Sequence, residues 1–221
     1  MIPSVGAEFV CRMEDVLDVY RRPYDPRFPV VAMDEKPVQV VADARAPLPA
    51  APGRARRQDH EYRRDGTANV FCAFEPLGNW RRLAVTDCRK RRDWARFVRG
   101  VVDAPRYKGA ERVVLVMDQL NTHSPVSLYE AFAPAEAKRV ADRLEIHHTP
   151  KHGSWLNVAE VELSVLGKRL KERVGDKAKL AEACAAMERE RNRARAGVNW
   201  RFTTANARIK LKRLYPTTEL W

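Results

Sequence analysis

"RVVLVMD", residues 112–118, repeats the pattern of "VVAMD", residues 30–34: an apolar run that stops on an aspartate. Short runs without polar alternation suit strands buried on both faces, as in the middle of an α/β sheet. Between these two runs, "TANVFCAF" (67–74) and "WRRLAVTD" (80–87) are β-prone and flank "EPLGN", whose Pro and Gly predict a hairpin turn. "KRRDWARFVRGVVDA" (90–104) then spaces Trp94, Phe97, Val98, Val101 and Val102 as one helical face, with Trp94 as a core anchor rather than a stacking platform. After Asp118, "SPVSLYEAFAPAEAKRVADRL" (124–144) reads as a helix and "LEIHHT" (144–149) as a strand. "TPKHGSWLNVAE" (149–160) is a turn-rich loop running into an apolar helix. The order strand, hairpin, helix, strand, helix, strand, helix predicts an α/β fold: a mixed sheet flanked by helices, with hairpin-linked strands preceding parallel ones.

The flanks are less regular. A short helical pattern around Met13 to Tyr20 is followed by the breaker-rich "RRPYDPRFP" (21–29), and residues 1–28 read as a linker. "DARAPLPAAPGRARRQDHEYRRDG" (43–66) has no apolar period and reads as a surface excursion that orders on a partner. No repeat of 20 to 50 residues is visible.

The 221 residues, 45% of them apolar, suffice for one substantial core. No apolar run approaches the roughly 18 to 20 residues of a membrane span, and the first residues lack a secretory layout, so the expected location is cytoplasmic and no membrane partner is expected. Cys11, Cys72, Cys88 and Cys184 are scattered without a CxxC pair, which argues against a zinc knuckle or disulfide framework and for small core residues. His123, His147, His148 and His152 likewise lack zinc-motif spacing. The net charge of +12 calls for a polyanionic partner. It is uneven: Val165–Trp221 holds 15 Lys or Arg against 6 Asp or Glu. Lys168, Arg169, Lys171, Arg201, Lys210, Lys212 and Arg213 are candidate DNA contacts there, and Lys151 and His152 are candidate phosphate contacts in the 149–160 loop. "EACAAMERERNRARA" (182–196) alternates in sign and could instead pair along its own helix.

Asp34 and Asp118 end runs of apolar neighbours, where an unpaired carboxylate would cost several kcal/mol unless something cationic meets it. A third acid near the start of the last helix would complete an all-oxygen cluster suited to Mg²⁺ or Mn²⁺. Two such ions about 3.5 to 4 Å apart can activate a water or a 3′-hydroxyl and stabilise the leaving oxygen of a phosphodiester.

"AMDEKP", "VLVMDQLNTH" and "TPKHGSWLNVAEVELSVL", in that order, resemble the catalytic domain of the insertion-sequence-630 family of bacterial transposases, relatives of mariner elements. The resemblance covers roughly Pro29 to Pro216. It implies an RNase H-like fold and a DDE site with Asp34, Asp118 and Glu160 as the catalytic, metal-holding acids, the last set three residues after Asn157. It also implies two Mg²⁺ ions (or Mn²⁺) and transposon-end and target DNA as partners, and it allows a homodimer in a DNA complex. Residues 29–175 would be the catalytic domain, 176–221 a basic helical extension, and 1–28 what remains of an N-terminal DNA-binding region, the chain being N-terminally truncated. Rival readings are a domesticated remnant that binds DNA without cutting, and a stand-alone nuclease of the same fold.

The chain departs from the family pattern twice. Gln119 replaces the Asn that usually follows the second acid, a longer amide that alters the bonding around the site; the 41 residues between Asp118 and Glu160 exceed the spacing in mariner relatives, which a longer intervening helix would absorb. Two readings compete for the third acid. Helical periodicity puts Glu162 near the centre of the apolar arc and Glu160 nearly opposite, while the motif position selects Glu160, which would line an open cleft at the helix start. Asn157 and Glu160 also have the spacing of a reciprocal helix cap, in which case Glu160 would only satisfy a backbone N–H.

Overall fold

The computed structural model describes residues 6–45, 48–55, 57, 60–170 and 174–216. Five strands, β1 (Val30–Asp43), β2 (Tyr62–Glu75), β3 (Trp80–Thr86), β4 (Val113–Met117) and β5 (Leu144–His148), form one sheet in the order β3-β2-β1-β4-β5. The β1–β2 and β2–β3 ladders are antiparallel, and β1–β4 and β4–β5 are parallel. This is the expected mixed sheet, with β4 buried along its whole length.

Strand alternation sends successive residues to opposite faces, and the two faces carry separate cores. Ala32, Cys72, Phe74, Val114 and Val116 face α1 (Ala7–Tyr20), α5 (Ala159–Arg169) and α6 (Lys177–Arg193). Val31, Met33, Phe71, Leu115 and Met117 face α2 (Arg91–Val102), α3 (Val126–Ala131) and α4 (Pro134–Asp142). Trp94 is fully buried on this second face, as its helical spacing predicts. The stretch around Met13 to Tyr20, read as linker, carries α1, whose Phe9, Met13, Val16, Leu17, Val19 and Tyr20 are buried in the first core. α7 (Thr204–Lys210) adds Ala207 to the same cluster, and its Arg208 pairs with Glu14 of α1.

Several expectations are corrected. The strand containing "VVAMD" does not end at Asp34; β1 continues to Asp43 against β2, beyond the three residues, Val30 to Ala32, that pair with β4. The excursion at 43–66 is correspondingly shorter, because Tyr62–Gly66 already belong to β2. Gly66, at φ 100°, sits in the register shift between Gln39 and Val41, a bulge conformation that a side chain would strain. The segment 124–144 is two helices rather than one, since Phe132 turns extended and Pro134 starts the next. Of the cysteines, Cys72 and Cys184 are buried, Cys88 is half-buried and Cys11 is exposed; all four are free thiols.

β3 is an edge strand, and α6 covers its open backbone with side chains. Glu188 accepts from the Leu83 N–H at 2.7 Å, and Asn192 accepts from the Arg81 N–H at 2.8 Å while donating to the Arg81 carbonyl at 2.9 Å. This occupies groups that would otherwise template another strand. The alternating charges of α6 therefore reach other elements: Glu190 takes Arg169 of α5, and Arg191 takes Glu162. Among the described residues no helix is long and apolar enough to cross a membrane.

Candidate active site

The parallel register Val30↔Val114, Val31↔Leu115, Ala32↔Val116, continued by two residues, brings Asp34 level with Asp118. Here β4 ends, β1 runs on with β2, and the chain's connections diverge to either side. Such a crevice at the carboxyl ends of strands, where strand order reverses, is the common ligand site of α/β sheets. Burial pushes the Asp34 carboxyl up to about 7; the Glu35 N–H, donated to its Oδ1 at 2.8 Å, opposes the shift, and the charges of Glu160, Glu35 and Asp118 add to it. Asp34 thus feels both of the other acids of the DDE pattern.

Asp118 is held differently. Burial would raise its carboxyl, but the hydrogen bond and charge of His123, the Leu120 N–H and the charge of His148 together bring it below the usual range. His123 is 2% exposed, with Nδ1 2.5 Å from Asp118 Oδ1 and Nε2 3.2 Å from Glu35 Oε2. The Glu35 approach is an ion-pair distance off the hydrogen-bond line. Burial opposes the charged imidazole, yet the two carboxylates prevail and hold His123 at about 9. Trp94 stacks on its ring at 6.0 Å between centroids, and Arg89 lies 3.7 Å from the other Glu35 oxygen. This His123–Glu35 pair, joining the strand of the first acid to the second acid, was missed in the sequence; the only signal was a histidine five residues after Asp118.

The two candidates for the third acid stand in different surroundings. Glu162 is fully buried, accepts from Arg191 Nε at 2.7 Å and Nη2 at 2.8 Å, and lies 3.2 Å from Arg81 Nε. Glu160 is exposed in the first turn of α5, and its carboxylate has no hydrogen-bond or ion-pair partner among the described residues. The reciprocal cap is absent: Glu160 donates its own N–H to the Asn157 carbonyl at 3.1 Å, and its side chain does not reach back. Buried Asn157 has a different task. Its Nδ2 donates to the Met33 carbonyl at 2.8 Å and its Oδ1 accepts from the Ala159 N–H at 3.2 Å, fastening the start of α5 to β1 beside Asp34. Gln119 donates to the Thr149 carbonyl at 2.9 Å, tying the loop after β4 to the end of β5.

As donors, Asp34, Asp118 and Glu160 are hard oxygens, a set that fits Mg²⁺ or Mn²⁺ and not zinc. The upward shift of Asp34 comes first from burial and then from the charges of Glu160, Glu35 and Asp118, and a divalent cation would offset both. Among the described residues, however, no three His, Cys, Asp or Glu side chains converge closely enough to hold an ion as they stand. One Asp118 oxygen is engaged by His123, and Glu160 projects without a partner, so the acids share a site without forming a closed cage.

Lys151 and His152 are exposed in the turn after β5, His152 with φ 64°. Lys168, Arg201, Lys210, Lys212 and Arg213 are exposed, whereas Arg169 is held bidentately by Glu190 at 2.6 and 2.7 Å. Lys171 lies outside the described residues.

No curated protein sequence matches the chain. In structure it is similar to the Mos1 mariner transposase in a paired-end complex with Mn, with a TM-score of 0.51 and 16% identity over 87% of this chain and 60% of that one. It is also similar to the chain in the Mos1 strand transfer complex, with a TM-score of 0.48 and 12% identity over 86% and 61%. The chain therefore spans about 60% of the length of the solved chains it matches. At 16% identity the likeness to the paired-end complex carries the fold alone, the RNase H-like arrangement expected from the motifs. The family itself is shown by sequence: the DDE superfamily endonuclease profile matches residues 29–181, which begins at β1 and takes in all three acids, and the chain belongs to that family.

Proposed function

We propose that this endonuclease is the catalytic domain of a transposase of the insertion-sequence-630 group, hydrolysing a phosphodiester at an element end and then joining the freed 3′-hydroxyl to target DNA. The observation that carries this reading is the placement of Asp34, Asp118 and Glu160 around one crevice of a DDE-family fold, with the charges of the other two acids acting on Asp34. The three ordered motifs, "AMDEKP", "VLVMDQLNTH" and "TPKHGSWLNVAE", support the narrower assignment to the insertion-sequence-630 group.

In this reading Asp34, Asp118 and Glu160 hold Mg²⁺ or Mn²⁺. Bound there, the ions supply a nucleophile at neutral pH and charge stabilisation at the leaving oxygen. The protein's own groups prepare the site. His123 orients Asp118 through Nδ1 and is itself held by Glu35 at Nε2. Asn157 fixes the entry of α5, and so the position of Glu160, relative to β1. Lys151, His152 and the exposed Lys168, Arg201, Lys210, Lys212 and Arg213 contact DNA phosphates, and a paired assembly on two ends follows the Mos1 complexes by analogy. The test is plasmid nicking with and without Mg²⁺: the wild-type chain nicks only with the ion, and Asp34→Asn, Asp118→Asn and Glu160→Gln each abolish it. Metal-independent nicking, or a fully active Asp118→Asn chain, would overturn the proposal.

A further inference from the structure

A cleft of about 820 Å³ opens between the end of β3 and the first turns of α2, reached also by Lys177 at the start of α6. β3 runs parallel to β1 across β2, and Thr86 shares the level of Asn69 and hence of Pro37. The cleft thus opens two strands from β1, at the end of the sheet toward which Asp34 lies. Arg89 links the two regions, since it lies in the loop between β3 and α2 and approaches Glu35 at 3.7 Å.

The lining is unequal in its charges. Its acids are engaged: Asp87 by Lys177, Glu130 by Arg91, and Asp93 by the Lys90 backbone N–H. Its remaining cations are not. Arg92 is exposed and spends only Nε, on the Glu130 carbonyl at 3.1 Å, which leaves its terminal nitrogens available. Arg96, one turn on, is exposed and has no partner among the described residues, and the Lys90 ammonium has none either. Arg92 and Arg96 stand at i and i+4, about 6 Å apart along the helix, and present two guanidinium groups to the same side. Guanidinium groups in this arrangement suit phosphodiester oxygens.

We propose that this cleft is a second DNA-binding surface, in which Lys90, Arg92 and Arg96 hold backbone phosphates of the strand that passes through the acid site. The assignment rests on the endonuclease reading above and adds a surface far in sequence from the basic last quarter. A strand leaving the crevice between β1 and β4 toward β3 would meet this cationic surface at the same end of the sheet.

The test is fluorescence anisotropy of a labelled duplex titrated with the full chain across a salt series, comparing wild type, Arg92→Gln/Arg96→Gln and Lys108→Gln/Arg112→Gln. The last pair is exposed, removes the same charge, and lies before β4, at the opposite end of the sheet. Removing one cation that neutralises a phosphate should lower the slope of log affinity against log salt by about 0.9, so the cleft variant should fall by about 1.8 and the control by much less. Melting temperatures should match wild type, because both cleft residues are exposed. Equal changes in the two variants would show a response to overall charge and overturn the assignment, as would an unchanged slope in the cleft variant. A wild-type chain that binds no duplex would overturn the endonuclease reading and the cleft together; normal wild-type binding with an unaffected cleft variant overturns the cleft alone.

Discussion

Glu160 and Glu162 stand two residues apart on α5, and replacing each by Gln should have opposite consequences. Glu162 has no exposed surface and neutralises two guanidinium groups, of which Arg81 is equally buried. Gln keeps the shape but removes the charge, leaving Arg81 in the core facing Arg191 with no acid between them. Breaking a buried pair from one side costs about 3–5 kcal/mol. For a chain of this size each kcal/mol lowers the melting temperature by about 2–4 °C, so a drop on the order of 10 °C is expected. Glu160→Gln breaks no bond to the rest of the chain, so its effect on metal-free stability should stay within about 0.5 kcal/mol. Any shift should be upward, because one charge acting on Asp34 disappears. Thermal melts in EDTA measure both, and Mg²⁺-dependent nicking assayed well below the lower melting temperature separates fold from chemistry. Glu160→Gln should be stable and inactive, Glu162→Gln unstable but active while folded. A Glu162→Gln chain that melts like wild type, or a Glu160→Gln chain that still nicks, would refute the division of roles.

Three further outcomes follow from the same site. Asp34, raised from 3.8 to about 7, binds its proton more tightly folded than unfolded, so the metal-free fold loses stability as pH rises from about 4 to 7. The ceiling is about 4 kcal/mol and about 2 after solvent screening; Asp34→Asn should therefore stabilise the EDTA-treated chain at pH 8 and not at pH 4, by denaturant titration, and Mg²⁺ should stabilise wild type more at pH 8 than at pH 6. His123 is raised instead to about 9, so its contribution is complete below about 6.5 and lost as pH climbs through 9. His123→Gln should flatten that alkaline limb and lower nicking without abolishing it, since it positions Asp118 without touching DNA; an unchanged limb would remove His123 from this role. Asn157→Ala leaves the Met33 carbonyl without its buried donor and should cost about 1–3 kcal/mol in a denaturant melt while lowering nicking, and an Asn157→Ala chain with wild-type nicking would dissociate the α5 anchor from Glu160.

Local pattern determined much of this protein. Two short apolar runs ending on acids marked strands covered on both faces, as β4 is, while their adjacency came from the sheet. Helical period alone turned Glu162 inward and Glu160 outward, and the structure has both so. Other features depend on contacts between residues distant in the chain. β1 outruns β4 because β2 continues to pair with it, a property of the partner and not of "VVAMD". Glu188, Glu190 and Arg191 of α6 are engaged by β3 and α5 rather than along their own helix, and Asn157 serves a carbonyl 124 residues earlier instead of a reciprocal cap. His123 shows no special spacing, yet packing inserts it between Asp118 and Glu35, where burial makes each charge depend on the others. Periodicity reports which face of an element is covered; which polar group meets a buried charge is set by the register and crossing of elements, and only the tertiary structure decided that.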